Sequence, residues 1–554
     1  MSDPRSSAEP SSGSAAERRE PAIATFAGRL MLLWGAQRAM VAFLAGALGA
    51  LAQAPFDFPA IAFVSFPVLV WLLDGAAGDA AAGRLRKLRP FFVTGWWFGF
   101  GYFIAGLWWV GNAMLVDLQK YAWAVPFAVL LLPAGLALFY GAAAALARPL
   151  WNDGIGRLAA LAAAFAVVEW LRGFVLTGFP WNAAGYAAMP VPFLMQSVTV
   201  VGMVGMNALA VFVFSLPATL AAPKSRLLPM LVLAALLGAH AGFGLARLEL
   251  APADADETLA VRLVQPSIEQ SEKWDRSMRD RIFSTYLEMS ARPPEEGSLR
   301  PQLILWPETS VPFLFQQRPD ALAALGDLIG EGQTLLAGAV RLEGDTPNDP
   351  LARFYNSVVA VNSAGVLYDA VDKVHLVPLG EFVPFADFLS RLGITKLVEL
   401  PGGFSAGGKR HAIEVAPGIR AVPYICYEVI FPGLAAAESA DAQIIVNVTN
   451  DAWFGYSPGP YQHLRQAQVR AVEAGKPLLR VANNGISAAI DPYGRILDAL
   501  ELDGIGVMDV SVPLASADRW ISARPELFGW LAVALLAAIA LLGRVFGSRQ
   551  PQLT

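Results

Sequence analysis

"PYICYEVIFP", residues 423–432, leads an apolar run into the chain's single cysteine, Cys426, and places a carboxylate, Glu428, two residues beyond it. The preceding stretch "IRAVPYIC" is short and apolar, which predicts a buried strand ending on the thiol. A lone buried cysteine is by itself an ordinary small packing residue. Its meaning depends on what neighbouring strands deliver. "LILWPE" ends on Glu308 and "YDAVDK" runs into Lys373, so three predicted strands end on a reactive group. "LAVRLVQ", "TLLAGAV", "NSVVAVN" and "AQIIVNVTN" also have strand character, whereas "RDRIFSTYLEMSAR", "DALAALGDLIGEG" and "YQHLRQAQVRAVEAG" have helical spacing. This interleaving over residues 256–514 predicts a layered α/β domain with helix-covered sheets and chemistry at the strand ends.

A carboxylate, an ammonium and a thiol form a complete set for nucleophilic catalysis. A free thiol, with a pKa of about 8.5, is mostly protonated at neutral pH and needs a base. A carboxylate in a partly dry site takes the thiol proton and returns it. A lysine that stays cationic stabilises the thiolate and holds the oxyanion formed on an attacked carbonyl, and the Tyr427 backbone N–H is a candidate second donor. A Cys–His arrangement with His375 or His463 as base is the rival reading.

The rest of the chain is far more apolar. Of 554 residues 55% are hydrophobic and 16% charged, and the mean hydropathy is +0.47, too apolar for an ordinary soluble enzyme. One cysteine excludes an intrachain disulfide, and a net charge of −5 without long Lys/Arg runs argues against nucleic acid as a partner. The four histidines (His240, His375, His411, His463) are scattered, so neither a metal site nor a cofactor is expected. Residues 1–27 are small and polar and read as a disordered tail. Residues 28–250 form a membrane domain of about seven helices, near 36–53, 59–75, 91–113, 121–146, 158–175, 196–221 and 227–246. An eighth span lies within 524–547. Several approach the ~20 residues that cross a bilayer.

Loop charges alternate. "GRLRKLRP" (83–90), Arg148 with Arg157, and Lys224 with Arg226 mark one side, whereas "AQAPFDFPA" and "TGFPWNAAGYAAMPVPF" carry no positive charge. By the positive-inside rule both termini are cytoplasmic and the large domain lies on the outer face. Glu169 and Arg172, spaced i, i+3 at the end of a span, read either as a functional site or as a mutual structural pair. His240 reads as a helix-packing polar group, and Trp181 as an interfacial anchor or a substrate contact.

"WPETS" (306–310), "DKVHLVPLGEFVPF" (372–385), "ICYEVIFP" (425–432) and "VNVTNDAWFG" (446–455) resemble the signature segments of the nitrilase superfamily. With "EWLRGFVLTGFPWN" (169–182) and "VQPSIEQSEKWD" (264–275), they resemble more closely its bacterial apolipoprotein N-acyltransferase family. The resemblance implies an αββα sandwich on an eight-span membrane domain in the bacterial inner membrane, with the catalytic domain periplasmic. It implies Glu308, Lys373 and Cys426 as catalytic residues, supported by Glu381 and Glu428. The implied reaction has two steps. An acyl chain from a phospholipid such as phosphatidylethanolamine forms a thioester on the cysteine and then passes to the N-terminal amine of a diacylated apolipoprotein. The alternative is a membrane-tethered nitrilase-type amidase with water as acceptor. The chain is expected to act as a monomer. Trp274 and Trp453 are candidates for the substrate entrance, each with core packing as its competing reading. "FVPFADFLSRLGITKLVEL" (382–400), with Phe382 and Phe385, reads either as a lid touching acyl chains or as a buried helix of the sandwich.

Overall fold

The computed structural model describes residues 21–547 except 77–82, 117, 223–225, 252–256, 274, 295–298, 345, 347–348, 350, 379, 383–390, 392–402 and 515–523. Trp274 and Phe385 therefore lie outside the described residues, as does most of the segment read as lid or helix, and so do residues 1–20 of the expected tail. The remainder of that tail is ordered differently from expectation: α1 (Ala22–Met31) is helical. Ala27 and Leu30 are buried, and Phe26 packs edge-on against Trp71. An apolar stripe with a place to dock has overridden the polar flank.

The apolar half folds as α2 (Gly35–Gly49), α3 (Ala62–Asp74), α4 (Arg84–Leu107), α5 (Val125–Ala147), α6 (Ile155–Arg172), α7 (Val198–Ser215) and α8 (Leu227–Glu249). The chain returns in α9 (Pro525–Gly547), which packs on α6 and α7. Each expected span thus has a helix. Among the described residues, six are long and apolar enough to cross a membrane: α2, α4, α5, α7 and α8, several with short flanking turns, and α9. The other two differ for evident reasons. Helix α3 has 13 residues, and α6 carries Arg157, Glu169 and Arg172 within its 18. Those charges are internal. Arg172 is ion-paired with Glu169 and donates to the carbonyls of Phe179 and Trp181 at 2.6 and 2.8 Å, while Tyr140 O–H donates to Glu169 at 2.9 Å. The pair is structural: it ties the "GFPWN" loop to the helix end. His240 bridges Ser197 Oγ and the Ala188 carbonyl, joining α8 to the segment before α7.

The remaining fold is two six-stranded sheets. The first has the order β12-β1-β2-β3-β4-β5 and the second β11-β10-β9-β8-β7-β6. In the first, β1 (Thr258–Gln265), β2 (Leu303–Trp306) and β3 (Thr334–Glu343) run parallel, and β4 (Arg353–Asn362), β5 (Leu367–Asp372) and β12 (Gly506–Pro513) add antiparallel edges. In the second, β7 (Ile419–Ile425), β8 (Ile444–Thr449) and β9 (Leu478–Ala482) are parallel. They are flanked by antiparallel β6 (Ile413–Ala416), β10 (Ser487–Ile490) and β11 (Ile496–Leu500).

Strand periodicity explains the layering. Leu303 and Leu305 of β2 share one core with Ile444, Val446 and Val448 of β8, between the sheets. The alternate residues Ile304 and Trp306 face outward onto Phe283 and Tyr286 of the helix Arg279–Ser290 and Leu325 of Pro319–Leu328. Ile445 of β8 faces the opposite way, into a core shared with the long helix Pro458–Ala474 and the membrane helices. The expected αββα sandwich is thus present, and one of its helical layers is pressed between the second sheet and the apolar half.

Candidate active site

Each predicted strand end carries its residue where the sequence placed it. Strand β2 stops at Trp306, two residues before Glu308. β5 stops at Asp372, immediately before Lys373, and β7 stops at Ile425, immediately before Cys426. All three side chains are buried. Two of these turns use left-handed backbone at non-glycine residues, Thr309 (φ 43°) after the acid and Cys426 itself (φ 53°). Such conformations cost of order 1–3 kcal/mol and cluster at functional sites. Gly338 on β3 makes room for the first of them, because a Cβ there would sit 2.4 Å from the Pro307 carbonyl oxygen. Ser310 then anchors the turn through its N–H and hydroxyl, both donating to the Gly338 carbonyl.

Lys373 Nζ lies 2.9 Å from Glu381 Oε1 and 3.4 Å from Glu308 Oε1. Burial pulls its pKa down, but the two carboxylates outweigh that and hold the ammonium charged well above the ordinary lysine range. Asn356 Nδ2 donates to both carboxylates, at 2.7 and 2.9 Å. The Asn450 N–H donates to Glu308 Oε2 and the Val377 N–H to Glu381 Oε2. Both carboxylates are thus fixed by neutral donors as well as by the shared cation. Burial pushes the Cys426 thiol well above its ordinary value; Glu308 adds to that rise and Lys373 opposes it. A thiol with its pKa raised in this way needs a base to take its proton as it attacks.

Glu428 serves the scaffold. Its Oε1 accepts from the Val374 and His375 N–H groups at 2.7 and 3.0 Å and from Arg410 at 2.5 Å, and its Oε2 accepts from the Ile425 N–H. One carboxylate therefore joins the segment after Lys373 to the turn that carries Cys426. The Tyr427 O–H donates to the Gly178 carbonyl of the apolar half. Phe382 is half-buried in a bridge to Pro378, directly after Glu381. Trp453 is half-buried in the turn Asp451–Phe454, where its neighbour Phe454 packs on Trp109 and Trp181.

The histidine rival fails on geometry. His463 directs Nε2 to the Cys426 carbonyl and Nδ1 to Asp451, and His375 stacks on Phe431. Trp181 differs from both of its expected roles. It is 1% exposed, its indole N–H donates to Gln462 at 2.9 Å, and its ring lies 5.2 Å from that of His463. Aromatic packing between the two halves of the chain has won over the water interface.

Sequence reading missed two contributors. Asn356 sits in the middle of an apolar strand, where only the β4 register turns it toward the carboxylates. Lys273 lies in a polar stretch, yet it is 1% exposed and donates to the Glu308 carbonyl at 3.0 Å. Burial pulls its pKa down to about 8, against opposing pulls from Glu308 and Cys426. The folded pKa lies below the unfolded one, so the unfolded chain binds the extra proton between about pH 8 and 10.5. The burial penalty is full below pH 8 and is relieved across that window. The stability difference between Lys273→Met and wild type in detergent is expected to shift toward wild type by about 3 kcal/mol from pH 7 to 10.5. A difference that stays flat in chemical unfolding over this range would contradict the assignment.

Two stacked sheets with glutamate, lysine and cysteine at three strand ends define a carbon–nitrogen hydrolase domain, and residues 260–522 match the family model of that description. Residues 45–216 match the model described as the apolipoprotein N-acyltransferase N-terminal domain. The chain is 53% identical over 526 residues to an apolipoprotein N-acyltransferase of Brucella suis, covering 94% of this chain and 98% of that one. It is 50% identical to one from Agrobacterium fabrum, covering 95% and 99%. Among solved structures, an amidase from Nesterenkonia of the nitrilase superfamily is 20% identical, with a TM-score of 0.36 over 50% of this chain and 98% of that one. The chain belongs to the apolipoprotein N-acyltransferase family and is an acyltransferase.

Proposed function

We propose that the enzyme moves an acyl chain from a membrane phospholipid, phosphatidylethanolamine among the candidates, to the α-amino group of the diacylglyceryl-cysteine that begins an apolipoprotein, in two steps through Cys426. The observation that carries this reading is the burial of Glu308, Lys373 and Cys426 together at three strand ends, in a chain whose relatives bear that name. Glu308 takes the thiol proton as Sγ attacks the ester carbonyl carbon. Lys373 and the Tyr427 N–H stabilise the oxyanion. The C–O bond breaks, Glu308 returns the proton to the departing alkoxide, and a lysophospholipid leaves. The lipoprotein amine then attacks the thioester, Glu308 accepts its proton, the C–S bond breaks and the thiol is restored. Glu381 and Glu428 hold Lys373 and the cysteine turn in place for both steps. Trp274, Phe382, Phe385 and Trp453 are assigned to the substrate entrance.

The same reading places the chain as a monomer in the bacterial inner membrane, with α3 and α6 completing eight spans. The Arg-rich loops and both termini are then cytoplasmic, and the catalytic domain is periplasmic, where two lipid-anchored substrates arrive by lateral diffusion. Intact-protein mass spectrometry after incubation with phosphatidylethanolamine vesicles is expected to show one fatty-acyl adduct on Cys426. It should be labile to hydroxylamine and lost on addition of a diacylated lipopeptide, with the acyl mass appearing on the peptide amine. Acylated peptide formed without any enzyme adduct would overturn the two-step path.

A further inference from the structure

Behind the nucleophile lies a charged cluster that the two acyl-transfer steps do not use. Asp451, His463 and Arg480 are all fully buried. Arg480 Nη2 lies 2.5 Å from Asp451 Oδ2 and 3.0 Å from His463 Nδ1, and its Nη1 donates to Asn447 Oδ1 at 2.5 Å. His463 Nε2 is 3.2 Å from the Cys426 carbonyl oxygen, and Asn447 Nδ2 approaches the same oxygen at 3.4 Å.

A carbonyl oxygen only accepts, so Nε2 carries the hydrogen toward Cys426. Nδ1 faces both Asp451 Oδ1, which only accepts, and Arg480 Nη2, which only donates, each at 3.0 Å. Burial and the neighbouring guanidinium push the His463 pKa down, while Asp451 and the hydrogen bond to the Cys426 carbonyl oppose them. Burial opposes ionisation of Asp451, but Arg480 and His463 outweigh it and keep the carboxylate charged. The cluster therefore supplies one directed N–H to a backbone oxygen whose residue sits at φ 53°, a conformation that a non-glycine residue holds only when its surroundings over-determine it.

We propose that His463 is a positioning residue for Cys426: its Nε2–H, oriented by Arg480 and Asp451, grips the Cys426 carbonyl and locks the left-handed turn from which Sγ reaches the acyl carbon. The proposal rests on the reading of Cys426 as the acyl carrier. It requires a directed donor, and no titration of the ring. A misplacement of about 1 Å costs on the order of 10²-fold in rate, so the loss should appear in thioester formation and leave lipid binding untouched.

The test uses the full chain in phosphatidylethanolamine vesicles, with single-turnover release of lysophospholipid as the readout. His463→Leu, which keeps the Asp451–Arg480 pair, is expected to slow Cys426 acylation about 10- to 100-fold with an unchanged KM for phospholipid. His463→Gln, whose Nε2 occupies the place of the imidazole Nε2–H, is expected to recover most of the rate. Wild-type acylation in H463L, or equal loss in H463L and H463Q, overturns the proposal. If H463L does not fold, Asn447→Ala removes the companion donor: slowed acylation supports the proposal and an unchanged rate overturns it. Absence of the adduct in the wild type sinks the Cys426 reading itself, which distinguishes the two failures.

Discussion

Cys426→Ala is expected to reduce acyl transfer by about 10⁴- to 10⁶-fold, the scale seen when a covalent nucleophile is removed. On the proposed two-step path the thiol is the group on which both half-reactions turn, and the residual rate would report only what Lys373 and the surrounding donors do for a direct attack. Folding should be indifferent, because Cys426 packs in the core between the sheets and alanine loses a single sulfur there. The check is turnover of vesicle phospholipid together with thermal unfolding of the same preparation. A variant that keeps more than about one per cent of wild-type turnover would contradict covalent catalysis at this residue.

Lys373→Met carries the second large effect, which on the proposed mechanism is both catalytic and structural. The ammonium is 1% exposed and is shared by Glu308 and Glu381, which Asn356 Nδ2 holds close together. Removing one partner of a buried ion pair costs about 3–5 kcal/mol, because the remaining charge has no water to retreat to. Loss of an oxyanion-stabilising cation costs a further 10²- to 10³-fold in turnover on the usual scale, about 3–4 kcal/mol of barrier. The shared carboxylates hold the lysine charged beyond the ordinary range, so its stabilisation is present throughout the neutral region and is lost only at strongly alkaline pH. The stability defect should therefore be constant from pH 6 to 9, in contrast to the window that opens for Lys273. Adding Glu381→Gln to the lysine variant should return part of the lost stability, since one of the two stranded charges is then gone. Urea or thermal unfolding of the single and double variants measures both.

Much of this arrangement is legible in the sequence because strands ending on reactive residues announce themselves. β2 and β7 are short apolar runs and β5 a mixed one, and Glu308 two residues after the first, Cys426 directly after the second and Lys373 directly after the third stand at their ends. The eight apolar helices are legible for the same reason: hydropathy is a local property. What depends on pairing register is not legible. Asn356 looks like one polar residue in "NSVVAVN", and only the antiparallel pairing of β4 with β3 and β5 brings it to the carboxylates. Lys273 reads as a surface charge because the elements that bury it lie far along the chain. The cluster of Asp451, His463 and Arg480 draws from a strand end, a helix and another strand, and no spacing rule connects them. Trp181 was legible as aromatic and near a membrane edge, but its burial required a second domain to close over it. Strands β9 to β12 gave weaker signals, β11 being mostly exposed.

That closure has a consequence for how the molecule can be divided. His463, which touches the cysteine turn, is roofed by Trp181, and the adjoining Gln462 accepts from the indoles of both Trp109 and Trp181. Asn112 adds a bond to the Phe454 carbonyl, and Arg465 forms an ion pair with Asp57. The active centre thus has one wall that its own domain does not encode. A protease nick between the two halves would leave a fragment with an open, aromatic-lined gap where that wall had been. On the proposed path, a catalytic domain parted from the apolar half would lack that wall around its thioester.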